Sequence, residues 1–398
     1  MTMRRLWLKK DEERRARTGH LWIFSNEVDV VKSPLADFAP GETATLCDCR
    51  GRSLGSVSVS PGGLICARIH SREAETELSD ALLHERLAAA FALRKRLFAE
   101  PFYRLCHGEG DFLPGLVIDR YGEHLSLQIT TPAMENRKEA ICRALDALCA
   151  PSSLVFDNDL PARRLEGLSP EREIRGCVPE TLDVPENGCR FTTPCLSGQK
   201  TGWFFDQRAN RAFFASCAGG GDVLDVFCYA GGFGVTAAKA GARSVTFLDA
   251  SADALGFASR NLEANAPELA DAGRAETICG DAFHELAKLR EAGRRFSLIN
   301  LDPPAFIKRR KDAGQGIAAY RKLNALAVGL LTTGGFLASS SCSYHLPAED
   351  LRICVARAAA GAGLHARLLH AGGQGPDHPI HAAMPETAYL KCIIAQMG

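Results

Sequence analysis

The sequence predicts a multidomain chain in three parts: a small β-barrel over residues 1–72, a connector helix and central α+β domain over 73–185, and an α/β domain over 186–398. Three observations carry this. Short apolar runs separated by glycine turns fill the first part. A long helix and a strand–turn–strand pair follow. From about residue 200 strands and helices alternate strictly, as in a doubly wound, mostly parallel sheet.

In the first part the strands are Thr43–Asp48, Leu54–Val59 and Leu64–Ile69, with turns at Gly51-Arg52 and Pro61-Gly62-Gly63. Leu78–Leu97 reads as an amphipathic helix that Ser79-Asp80 can cap and that stops before Pro101. In the central part, strands Leu116–Asp119 and His124–Thr130 flank the turn Tyr121-Gly122-Glu123. A helix over Glu135–Cys149 and a strand over Ser153–Phe156 complete it. Asn187-Gly188 is a two-residue hairpin signal joining Glu180–Val184 to Cys189–Thr193. The last part offers seven strands: Val223–Val226, Ser244–Leu248, Ala275–Ile278, Phe296–Leu301, Gly335–Ser339, His365–Leu369 and Tyr389–Ile394.

Composition narrows the function. The chain has 398 residues, 46% hydrophobic and 24% charged, as in ordinary globular protein. No window approaches 18 uncharged apolar residues, and no apolar stretch follows the basic N-terminus, so neither a membrane span nor a signal peptide is expected. The 15 cysteines are scattered without a C-x-x-C pair. That argues against a zinc knuckle and for reduced thiols in a cytoplasmic protein. His107-Gly108-Glu109-Gly110-Asp111 has metal-binding residue types, but its glycines suit a tight turn better, and no metal is expected. Formal net charge is zero, which argues against coating nucleic acid non-specifically. Two basic runs remain. Arg14-Arg15-Ala16-Arg17 reads as a solvated face. Lys308-Arg309-Arg310-Lys311 follows a candidate active site within two residues and is the better phosphate contact.

That candidate site rests on two strand ends. Asp302-Pro303-Pro304 follows the apolar run Phe296–Leu301, and Ser339–Ser341, Cys342, Ser343, Tyr344 and His345 follow Gly335–Ala338. In an open α/β sheet, ligands bind outside the carboxyl ends of the strands, so both residues should face one crevice. A thiol and a carboxylate there are the pair needed to attack a pyrimidine ring and hold it. Asp225 ends the first strand of this domain, six residues before Gly231-Gly232-Phe233-Gly234. A carboxylate at that point can meet a methionine ammonium. The turn is not G-x-G-x-x-G, so the pyrophosphate cradle of a dinucleotide site is missing. Asp249 closes the second strand and can accept both ribose hydroxyls, and Asp281 after the third can accept from an adenine amino group. Any one aspartate could equally be a helix N-cap. Their recurrence at successive strand ends favours a nucleoside-containing cofactor, and the Asp225 spacing with the missing pyrophosphate cradle favours S-adenosylmethionine over a dinucleotide.

The segments Gly198–Arg208, Asp225–Gly234, Asp302–Phe306 and Cys342–His345 together resemble the ribosomal large-subunit methyltransferase I family, which forms 5-methylcytosine in 23S rRNA. His107–Asp111 and Leu113–Tyr121 resemble its middle domain. Gly19–Phe24 resembles the start of its PUA barrel, with Leu21 where proline is usual. The resemblance covers essentially the whole chain. It implies a PUA-like RNA-binding barrel, a Rossmann-like class I methyltransferase domain, S-adenosylmethionine as methyl donor and ribosomal RNA as partner. The cofactor set expected is Phe205, Gln207, Asp225, Phe227, Tyr229, Gly231, Asp249, Ala250, Asn265, Asp281, Ala282 and Asp302; the RNA set is Phe306 with Lys308, Arg309, Arg310 and Lys311. Many RNA cytosine-5 methyltransferases carry a second cysteine where this chain has Ala305, so product release must be managed otherwise.

Cys342 is the expected nucleophile and Asp302 its catalytic partner. Thiolate addition to carbon 6 of cytosine makes carbon 5 nucleophilic, and Asp302 would bond the ring edge. A target base in folded RNA must be unstacked, and Phe205, Phe306 and Tyr344 are candidate stacking rings. His345 is expected to position rather than to react. Three other readings stay open: methyl transfer to an exocyclic amine without the cysteine, a nicotinamide-dependent dehydrogenase, and an RNA-binding protein without catalysis. The oligomeric state is open too, a homodimer included.

Overall fold

The computed structural model describes residues 3–195 and 202–398. Contacts divide the chain into two units. Among the described residues, one contains the chain up to Glu180 together with Pro376–Thr387; the other contains residues 181–195, 202–375 and 388–398.

The first unit holds two five-stranded sheets. In one, β1 (Arg5–Trp7), β2 (Trp22–Phe24), β3 (Thr43–Cys47), β4 (Ser53–Val59) and β5 (Ile65–Ser71) lie in the order β1-β3-β4-β5-β2. An isolated bridge from Leu8 to Val28 draws the two edges together. Leu6, Leu46, Val57 and Ile69 fill its core, and Met384 joins them from the late segment. The other sheet contains β6 (Phe102–His107), β7 (Leu116–Tyr121), β8 (His124–Ile129), β9 (Ser153–Asp157) and β10 (Arg172–Gly176), in the order β10-β9-β8-β7-β6. The helix Asp80–Leu97 is capped by Ser79, whose side chain accepts from the Leu82 amide. It is more than a connector: Leu83 and Leu87 are buried in the same core as Leu105, Ile118 and Leu127. The expected helix Glu135–Cys149 is two helices, Pro132–Glu135 and Lys138–Cys149, because Arg137 leaves the helical region at φ −118° and ψ 16°. His107–Asp111 is a turn of 3-10 helix over Gly108–Asp111. Asp111 is held by the buried Arg94 through two bonds of 2.5 and 2.7 Å. Among the described residues no group of side chains is arranged to hold a metal ion.

The second unit opens with a hairpin of β11 (Thr181–Glu186) and β12 (Cys189–Pro194). Asn187 and Gly188 take φ of 52° and 74°, the positive values that a two-residue primed turn requires. The main sheet has seven strands: β13 (Asp222–Val226), β14 (Ser244–Asp249), β15 (Ala275–Cys279), β16 (Phe296–Leu301), β17 (Leu331–Ser341), β18 (Ala366–Gly372) and β19 (Lys391–Met397), in the order β15-β14-β13-β16-β17-β19-β18. Only β19 runs antiparallel to its neighbours. Leu224, Leu248, Ile299, Leu301 and Leu337 on its strands pack with Leu286, Leu323 and Leu351 from the covering helices. The strand order reverses between β13 and β16, the switch point at which such sheets open a crevice. No helix among the described residues is long and apolar enough to cross a membrane.

Candidate active site

The crevice floor is the loop after β13. Asp225 is fully buried and both carboxylate oxygens are engaged. One accepts from the Gly234 amide at 2.8 Å, the other from the Asn300 side chain at 2.8 Å. Burial pushes its carboxyl up to about 6. Asp225 therefore braces the glycine turn from behind, and its carboxylate is not open to solvent in this structure. Gly231 takes φ of 81°, and a Cβ on Gly234 would fall 2.5 Å from the Phe247 ring. Phe227 and Tyr229 also hold positive φ, 60° and 49°, a strain that non-glycine residues keep only where the surroundings impose it.

Asp249, at the end of β14, supplies part of that imposition. It accepts from the Tyr229 amide at 3.0 Å and the Ser251 amide at 2.9 Å. It stays half-buried beside the exposed Ala250. Asp281 is exposed and caps the helix Ala282–Glu291, accepting from the His284 amide at 3.0 Å, while Ala282 is buried in the core. The carboxylates of Asp249 and Asp281 thus follow successive strands along one edge, as a nucleoside site needs, and each has a structural duty as well. These donor types fit S-adenosylmethionine: carboxylates that could accept from hydroxyl and amino groups, and a glycine turn that allows close backbone approach.

The opposite wall is built from the segment before the helix Arg208–Ser216. Glu186, at the end of β11, accepts from Trp203 at 3.0 Å and Arg208 at 3.2 Å, which fixes the chain between them. Gln207 is thereby placed with its amide nitrogen 2.9 Å from an Asp302 oxygen. Its own oxygen accepts from Asn210 at 2.6 Å. Phe205 is 1% exposed. That corrects its candidacy as a stacking ring, because no face is left for a base or an adenine.

Asn265 is a second correction. Its amide nitrogen donates to the carbonyls of Arg190 at 2.8 Å and Asn261 at 2.7 Å, and its oxygen accepts from the Arg190 amide at 2.8 Å. It sits at the far end of the helix Ala252–Asn265, about 20 Å from the end that faces the crevice. Together with Asn261, which binds both backbone groups of Thr192, it fastens β12 to that helix. Its side-chain bonds serve the hairpin and its own helix.

Asp302 and Cys342 end adjacent parallel strands. Leu301 pairs with Ser339, so Asp302 follows β16 and Cys342 follows β17 at the same edge of the sheet. Cys342 is half-buried and flanked by two buried serines. The Ser343 amide donates to Ser341 Oγ at 3.1 Å, and Ser341 Oγ donates to the Tyr320 hydroxyl at 2.8 Å. Ser343 Oγ lies 3.0 Å from the same hydroxyl and accepts from the Ile307 amide at 3.2 Å. The backbone on both sides of the thiol is pinned. By contrast, Cys228 and Cys392 are buried, and burial raises both thiols, Cys392 to about 12. Phe306 is half-buried against Tyr320, 4.8 Å between ring centres, and Tyr344 is 48% exposed. Lys308, Arg309, Arg310 and Lys311 are all exposed; Arg309 pairs with Asp312 at 3.0 Å. Gly198–Thr201, at the start of the motif before Trp203, lie outside the described residues.

A family model described as S-adenosylmethionine-dependent methyltransferase matches residues 131–379, and a PUA-like domain model matches residues 6–72. A protein of Tolumonas auensis named Ribosomal RNA large subunit methyltransferase I is 35% identical over 399 residues, covering 98% of each chain. The chain belongs to the ribosomal RNA large subunit methyltransferase I family. A Cronobacter sakazakii protein of the same name is 34% identical, covering 97% of this chain and 98% of its own. Among solved structures, a candidate methyltransferase from Streptococcus mutans superposes with a TM-score of 0.82 at 20% identity, covering 99% of this chain and all of that one. Another, complexed with SAH, gives 0.84 at 20% identity over the same shares. These two likenesses show the fold.

As a member of the methyltransferase I family, the chain is an S-adenosylmethionine-dependent methyltransferase, and the dinucleotide reading falls away. Tyr320 and Lys391 belong to this site and have no sequence signal of their own. Tyr320 reaches it from the helix Ala313–Val328. Lys391, first residue of β19, pairs with Ser341.

Proposed function

We propose that this chain methylates carbon 5 of a cytosine in 23S ribosomal RNA, with Cys342 as nucleophile. The observation that carries the reading is the placement of a half-buried, backbone-pinned cysteine beside Asp302 on adjacent strand ends at the switch-point crevice. The name borne by the relatives supplies the large-subunit RNA. Cytoplasmic location follows from that substrate, and the PUA-like part is the natural second RNA contact.

S-adenosylmethionine, when bound, would supply an electrophilic methyl group, and Asp249, Asp281 and the glycine turn would hold it. Cys342 sulfur adds to carbon 6 of the base and pushes electron density to carbon 5, which takes the methyl. Asp302, aimed by Gln207, bonds the ring edge and holds the base in register. Loss of the carbon 5 proton lets the C–S bond break and returns the thiolate. Ala305 offers no thiol for that last stage, so release depends on another group or on water.

The test uses RNA containing 5-fluorocytidine, whose fluorine cannot leave as a proton does. The protein with S-adenosylmethionine should form a denaturation-resistant RNA adduct, and Cys342→Ala should give neither adduct nor product. A Cys342→Ala protein that methylates carbon 5 near the wild-type rate would overturn the assignment. Mass mapping of rRNA from cells with and without the protein identifies the nucleotide.

A further inference from the structure

Among the described residues, Lys391 is the one lysine of the second unit whose amine is drawn into the pinned turn. Its Nζ donates to the Ser343 carbonyl at 2.6 Å and to the Tyr389 carbonyl at 2.8 Å. Ser343 is the residue after Cys342, and Lys391 is paired in the sheet with Ser341, the residue before it. The amine therefore sits against the turn that bears the thiol, held from two sides. The Ser343 carbonyl also accepts from the Leu346 amide at 3.0 Å, so the clamp is not needed merely to satisfy that oxygen.

We propose that Lys391 is a positioning residue for the nucleophile: its amine fastens the turn that carries Cys342, and its positive charge favours that sulfur as a thiolate. This rests on Cys342 being the nucleophile. The step is a simple ionisation. The Cys342 S–H proton leaves to solvent, the electron pair stays on sulfur, and the Lys391 ammonium opposes the new charge.

The electrostatics agree with the geometry. Burial lowers Lys391 to about 8, and the Cys342 charge acts in the opposite direction, which means that the two groups interact. Among the other titratable groups on the surrounding elements, Tyr320 also feels Cys342, and Asp302 acts on Cys392. Tyr389 donates its hydroxyl to Asp206 at 2.6 Å. A lysine near 8 is still mostly cationic at pH 7 and loses that charge a little above it. Thiolate support from Lys391 should therefore weaken as pH rises past 8.

The experiment is alkylation of the full-length protein by iodoacetamide between pH 6 and 10, with the Cys342 peptide followed by mass spectrometry. In the wild type its rate should rise with an inflection below the ordinary thiol range. Lys391→Gln keeps an N–H donor on a slightly shorter side chain but carries no charge. It should shift the inflection upward by about one pH unit, which is about tenfold slower alkylation at pH 7, with S-adenosylmethionine affinity unchanged. Lys391→Arg should restore most of the rate. An unchanged profile in Lys391→Gln would overturn the proposal, as would a wild-type inflection at or above the ordinary thiol value, which needs no variant at all. Because alkylation involves no RNA, this result is independent of whether Cys342→Ala abolishes methylation.

Discussion

Gln207 donates its side-chain amide to Asp302 across 2.9 Å, joining the segment that precedes the helix Arg208–Ser216 to the end of β16. That bond aims the carboxylate, and a charge aimed in this way is suited to a ring whose nitrogens change charge during reaction.

Asp302→Asn isolates that charge. The asparagine oxygen can still accept from Gln207, so the local structure should survive. S-adenosylmethionine affinity by calorimetry should change less than threefold, while single-turnover methylation should slow about a hundredfold or more. An equal loss in both measurements would mean that Asp302 serves the cofactor instead.

Asp249 holds two backbone amides besides its expected ribose contact. Asp249→Ala removes all three acceptor roles and should weaken S-adenosylmethionine binding by about 1.5–3 kcal/mol, about ten- to a hundredfold. Asp249→Asn keeps one acceptor oxygen and should lose less. Unaltered affinity in a folded Asp249→Ala protein would remove the ribose role.

Asp225 predicts a pH dependence. Its folded value, about 6, lies above the unfolded 3.8, so the folded state holds the proton more tightly. Stabilisation from that proton is complete below about pH 4 and is lost as pH rises through about 6, a change of roughly 3 kcal/mol. Asp225→Asn cannot titrate. The buried Asn300 oxygen, which lacks a partner, is available to its new amide. Relative to the variant, the wild type should lose stability between pH 4 and 6 in denaturant melts; parallel curves would show that the carboxyl does not titrate there.

Replacing Lys308, Arg309, Arg310 and Lys311 by alanine should weaken RNA binding and flatten its salt dependence. For single-stranded RNA, every phosphate that the protein no longer neutralises lowers the slope of log affinity against log salt by about 0.7. Filter binding over a salt series measures it, and an identical slope would return the run to a solvated loop.

Much of the site could be read from the chain because strand ends punctuate it. Asp225, Asp249 and Asp302 each close or follow a run of apolar residues, and a one-residue error in the boundary hardly moves them. Asn265 misled for the converse reason: an amide late in a helix looks the same whether it meets a ligand or the backbone of a distant hairpin. Phe205 misled because an aromatic residue beside a motif says nothing of which way its ring points. β10 escaped notice because its sequence, Arg172-Glu-Ile-Arg-Gly176, offers one apolar residue on an edge strand. β6 was hidden by the long helix and Pro101 before it. Tyr320 and Lys391 were invisible since their partners lie 21 and 48 residues away in the chain, a relation that only folding creates.

The segment Pro376–Thr387 lies between β18 and β19 of the catalytic sheet, yet it packs with the first unit. Asp377 accepts from the buried Arg94 and from the Arg104 amide, and Met384 enters the core of the first sheet. Neither unit can therefore be excised by a single cut. A fragment beginning at Thr181 would carry Asp377, His378 and Met384 stripped of their surroundings, while a fragment ending at Glu180 would deprive Arg94 of the Asp377 carbonyl. Protease nicking or truncation near residue 180 should yield halves that stay together or precipitate, and melting of the intact chain should resist separation into two independent transitions.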